Sequence, residues 1–116
     1  MAGLIEHEIG ARDVDKNFDI SRIVLTKKDQ VIDISLESAF LTVLRTESVT
    51  WQVEIFTSDG TLEPGDYRLE MTSTGGRDFR GRVRLQKLVP VGDRGGAGYL
   101  EGLGRLIGFD IAELDQ

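Results

Sequence analysis

Apolar and polar residues alternate along most of this chain. Val49, Trp51, Val53 and Ile55 are separated by Thr50, Gln52 and Glu54, the period-two signature of a strand with one buried face. Ser58-Asp59-Gly60 ends it with residues that accept turn conformations. Glu63-Pro64-Gly65-Asp66 then puts Pro and Gly at the central positions of a type II turn. Tyr67, Leu69 and Met71 alternate with Arg68, Glu70 and Thr72, and Ser73-Thr74-Gly75-Gly76 breaks the run. Phe79, Gly81, Val83 and Leu85 alternate in turn with Arg80, Arg82, Arg84 and Gln86. Segments 67–72 and 79–86 are therefore predicted to form an antiparallel hairpin. Its inner face carries Tyr67, Leu69, Met71, Phe79, Val83 and Leu85. Its outer face sets Arg68, Glu70 and Thr72 opposite the arginines, with Glu70 beside Arg80 or Arg82 according to register.

Ile32, Ile34 and Leu36 alternate with Asp33 and Ser35 as a further half-buried strand, and Ile20–Leu25 predicts another. Residues 36–48 are ambiguous. Phe40, Leu41 and Leu44 share a helical face, whereas Leu41 and Val43 share a strand face; β-branched Thr42 and Val43 favour a strand over 40–46. After Pro90 a glycine-rich loop covers 91–98, and Tyr99–Ile107 returns as a strand in which Gly102 and Gly104 leave gaps. Residues 109–114 suit one short helical turn, and residues 1–19 an extended N-terminal arm. Turns recurring every ~8–12 residues indicate one all-β domain over 1–116, an antiparallel sandwich or barrel of about seven strands.

Composition narrows the chemistry. The 116 residues include no cysteine and a single histidine, His7, which removes disulfides, thiolate nucleophiles and cysteine-based metal centres. The net charge of −6 disfavours phosphate-backbone binding, and no specific nucleic-acid partner is expected. Residues 1–9 lack the basic and apolar regions of a secretory signal, and no run of 18 apolar residues occurs. The expectation is a protein synthesised soluble in the cytoplasm, with no membrane partner.

Candidate sites are few. Asp13, Asp15, Asn17 and Asp19 place oxygens at every second residue, as a calcium loop begins, but Phe18 and Val24 stand where that loop needs Gly and Glu. Glu6-His7-Glu8 reads as a solvated terminus, and Glu63 and Asp66 as ordinary turn carboxylates. Gly92-Asp93-Arg94-Gly95-Gly96-Ala97-Gly98 lacks the Lys-Ser/Thr ending of a phosphate loop. Trp51 reads as core. The pointed feature is the series Arg77, Arg80, Arg82 and Arg84, with Arg94 and Arg105 nearby in sequence. No aromatic interleaves with it as in single-strand nucleic-acid binders. Arg80, Arg82, Arg84, Glu70 and Arg94 are the predicted subunit interface; no catalytic, metal or cofactor residues, and no small-molecule substrate, are expected.

Residues 75–106 resemble the closing strands of tail-tube and related β-barrel virion proteins of tailed phages. In those, an F-x-G-x-V strand precedes one ending L-x-G-x-G-x-L. Here these are Phe79-Arg80-Gly81-Arg82-Val83 and Leu100-Glu101-Gly102-Leu103-Gly104-Arg105-Leu106, with Leu103 where Thr is usual. The resemblance implies a non-enzymatic subunit of a phage or phage-like particle (tail tube, connector or baseplate type). Such a subunit would self-assemble into a ring or tube, a homo-oligomer in contact with other structural proteins. The residues alone leave two alternatives: a small cytoplasmic barrel serving as an interaction module, with the 80–84 face or the 92–98 loop as its contact, and a barrel that binds a small molecule.

Overall fold

The computed structural model describes residues 14–115. They form β1 (Val14–Lys27), β2 (Gln30–Asp33), β3 (Leu36–Arg45), β4 (Val49–Thr57), β5 (Gly65–Ser73), β6 (Asp78–Leu85), β7 (Val89–Val91) and β8 (Gly95–Ile107), then a 3-10 turn at Ile111–Asp115. All pairings are antiparallel. Neighbours run β1-β3-β4-β8-β6-β5, and β5 pairs back with β1, closing a six-stranded barrel. β1 permits closure through its 14 residues: its first half serves β3, and its second half serves β5. A closed barrel leaves no unpaired edge along those strands.

β2 and β7 extend one end of the barrel. β2 continues the ladder that β3 makes with β1, after the chain inserts two more residues than β1 supplies between Asp33 and Phe40. β7 likewise continues the ladder of β6 on β8. Pro90 is tolerated because β7 is an edge strand. The anticipated strand through Ile32, Ile34 and Leu36 is thus interrupted at Ile34-Ser35, although all three side chains keep one burial phase and pack against the core. The interruption is tied down by Ser35, whose carbonyl accepts from Ser58 N (3.0 Å) and from the Thr57 hydroxyl (2.8 Å).

The alternation read from sequence sorts inside from outside. Tyr67, Leu69, Met71, Phe79, Val83 and Leu85 are all buried, as are Leu41, Val43, Trp51, Val53 and Ile55. The interior is filled by these side chains, as small barrels are. The indole of Trp51 lies across Gly102 of β8 and Gly81 of β6; a Cβ at Gly81 would stand 2.7 Å from the ring. The Trp51 Nε1–H donates to the Gly104 carbonyl at 2.9 Å. The gap anticipated at Gly102 is therefore occupied by the only tryptophan of the chain.

The far end of the barrel is closed by the C-terminal turn. Phe109 and Leu114 are buried there, and the Phe18 ring meets Phe79 at 5.1 Å and Phe109 at 6.1 Å. The Arg77 guanidinium lies 5.0–5.8 Å from all three rings.

Three sequence expectations need correction. Residues 14–19 are not an arm but a barrel strand on β3; residues 1–13 lie outside the described residues. Polar Asp15, Asn17 and Asp19 merely face outward while Phe18 turns in. Gly65 does not sit in a type II turn: its φ of 146° is far from the ~80° such a turn needs, and it already pairs with Leu85. The 91–98 loop shrinks to a turn between β7 and β8, anchored by Gly60 N donating to Arg94 O at 2.6 Å. The eight strands among the described residues, with β2 and β7 each forming separately, accord with the all-β barrel of about seven strands that was expected.

Candidate subunit interface

Period-two alternation on β5 and β6 sends Arg68, Glu70, Arg80, Arg82 and Arg84 to the outer surface, and all are exposed. Register then decides their partners. Asp66 stands opposite Arg84, Arg68 opposite Arg82, and Glu70 opposite Arg80. Arg84 is satisfied within the chain: its Nε and Nη2 donate to the Asp66 carboxylate at 2.8 and 3.3 Å. That bond holds the Asp66 carboxyl below its ordinary range. Among the described residues, Arg68, Arg80 and Arg82 make no ion pair. Arg68 faces another arginine, and like charges directly opposite each other destabilise a ladder.

The predicted interface residues thus separate. Glu70, Arg80, Arg82 and Arg84 share one wall, where Arg84 is engaged by Asp66. Arg94 sits apart, in the β7–β8 turn at the extended end. Arg77 does not belong to this stripe. It precedes β6 and turns towards the closed end, donating from both Nη atoms to the Glu113 carboxylate and from Nη2 to the Gly108 carbonyl at 2.8 Å. Glu113 also accepts from Asp110 N at 2.9 Å. These bonds, Arg77 first, pull the Glu113 carboxyl down to about 2. Arg45 pairs with Asp115, a second tie on the same turn.

On the other side of the barrel, one register row runs through Asp19, Phe40, Glu54 and Tyr99 on β1, β3, β4 and β8. Carboxylates and aromatics alternate along it. Phe40 is 40% and Tyr99 50% exposed. Sequence reasoning missed this row, although its signal was present: both aromatics occupy the polar phase of their strands, in step with Thr42 and Glu101. In the order β1-β3-β4-β8-β6-β5, β3 lies across the barrel from β6 and β4 across from β5. The arginine wall and the aromatic–carboxylate wall therefore face away from each other.

Open grooves flank the barrel ends, among them the following two. One, about 640 Å³, lies among β2, the 57–64 segment and Tyr67. Another, about 840 Å³, lies between Trp51, Phe109 and the C-terminal turn. Both lie outside the packed interior. Asp15, Asn17 and Asp19 are spread along an extended strand, ~6–7 Å apart, rather than wrapped around a common point. Among the described residues no group of three acidic or histidine side chains converges. Among them, too, no helix is long and apolar enough to cross a membrane. Comparison with family models, with curated proteins and with solved structures found no match to this chain.

Proposed function

We propose that this chain is a non-enzymatic structural subunit that self-assembles into a ring or tube of a phage or phage-like particle, of the tail-tube, connector or baseplate type. The observation that carries the reading is the facing pair Arg68 and Arg82 on the outer wall of β5 and β6. Two exposed guanidinium groups placed opposite each other weaken the isolated barrel and gain when a carboxylate surface covers them. A closed barrel with a filled interior suits the role, since its strands offer rigid walls rather than a cavity. The β1–β2 and β7–β8 hairpins, with Val31, Val89 and Val91 exposed, give contacts between stacked rings. Electron micrographs of the purified chain at high concentration test this directly. Rings or tubes of uniform diameter are the expected result; a field of isolated particles of monomer size, at every concentration and salt, contradicts it.

A further inference from the structure

We infer that the arginine wall of one copy docks on the aromatic–carboxylate wall of a second copy, so that subunits join head to tail. The inference rests on the self-assembly reading and names its contact. The receiving row is Asp19, Phe40, Glu54 and Tyr99, directly opposite one another across four strands. Its chemistry matches a guanidinium on two counts: carboxylates accept its forked donors, and exposed rings stack on its plane. The outward positions around the row on β3 and β4 include Ser38, Thr42, Leu44, Thr50, Gln52 and Phe56, with no basic residue among them. The donor wall supplies Arg68, Arg80 and Arg82, the arginines that lack an ion pair among the described residues.

Topology turns complementarity into propagation. The two walls lie on opposite sides of the closed barrel. One contact therefore leaves each copy with its other wall free, and the contact is heterologous: it closes into a ring or continues as a filament. A two-fold dimer through the arginine wall would instead set like charges face to face.

Two variants test this. Arg80→Glu with Arg82→Glu reverses the donor wall; Phe40→Ser with Glu54→Gln strips the receiving wall. Each alone is expected to stay monomeric by sedimentation velocity. Mixed in equal amounts they are expected to form a 1:1 dimer and nothing larger, because each retains one intact wall. Near-UV circular dichroism of Trp51 reports whether each variant is folded. Should either misfold, salt provides a mutation-free test: association of the native chain is expected to weaken at least about tenfold between ~0.05 and ~0.5 M salt. A receiving-wall variant that assembles like the native chain, a mixture that forms no dimer, or a salt-insensitive assembly overturns the inference and leaves self-assembly standing on another surface. A native chain that stays monomeric throughout overturns the self-assembly reading itself.

Discussion

The indole of Trp51 rests on Gly102 where a Cβ would overlap the ring, and it reaches across β8 to Gly81 of β6. The glycines of the F-x-G-x-V and L-x-G-x-G-x-L segments thereby acquire a physical purpose. Two of them, Gly81 and Gly102, form the slot for a side chain from a third strand, and Gly104 presents the carbonyl that binds its N–H.

Removing the indole leaves that slot empty. Trp51→Ala is expected to cost about 3–5 kcal/mol. Gly81→Ala is expected to cost about 1–3 kcal/mol beside the native indole. In a Trp51→Ala background the same change is expected to cost much less, because the ring it collides with is gone and only the Arg105 carbonyl, 3.3 Å from the added Cβ, stays close. Urea titrations of the two single variants and the double variant measure the coupling. Additive effects would place the indole elsewhere.

The Arg77–Glu113 pair predicts a pH dependence. Unfolded, Glu113 takes up its proton near 4.5; folded, it holds out to about 2. Between these values the unfolded chain binds more protons, and stability falls as pH is lowered through this window. Above it the contribution is fully present. Glu113→Gln is expected to flatten that part of the profile and, once solvent screening is allowed for, to cost on the order of 1 kcal/mol at neutral pH. Denaturation midpoints of both proteins from pH 2 to 7 check this.

Thr57 is a buried hydroxyl that donates to Ser35 O and accepts from Asp59 N at 3.1 Å. It braces the interruption between β2 and β3 against the end of β4. Thr57→Val keeps the shape and leaves the Asp59 N–H without that partner. A loss of about 1–2 kcal/mol is expected. Faster amide exchange at Asp59 and Ile34 would accompany it.

The facing arginines predict an opposition between stability and assembly. Arg68→Glu places a carboxylate opposite Arg82 and is expected to stabilise the monomer by up to about 1 kcal/mol. The same change takes a cation from the docking wall and is expected to weaken association. Thermal melting at low protein concentration and light scattering at high concentration separate the two effects.

The β5–β6 hairpin was legible because its alternation is unbroken and the turn that joins its strands carries Gly75-Gly76. β1 was half hidden: Asp15, Asn17 and Asp19 make the outward phase of its first half polar, and Lys16 breaks the apolar phase just ahead of the inward Phe18. The role of Arg77 could not be read from its neighbours, since its partner Glu113 lies 36 residues away. The arginine stripe was visible as a pattern, but its pairing was not. Register alone determines that Asp66 engages Arg84 while Arg82 meets Arg68. The receiving row is less legible still, because its four members lie on four strands and only the registers of three successive strand pairs align them.

Sedimentation velocity of the native chain at low and at high salt, over a range of concentrations, reads the proposed contact between copies. A species many times the monomer mass is expected at low salt, dissociating as salt screens the two walls. A single boundary of monomer mass under every condition would contradict it.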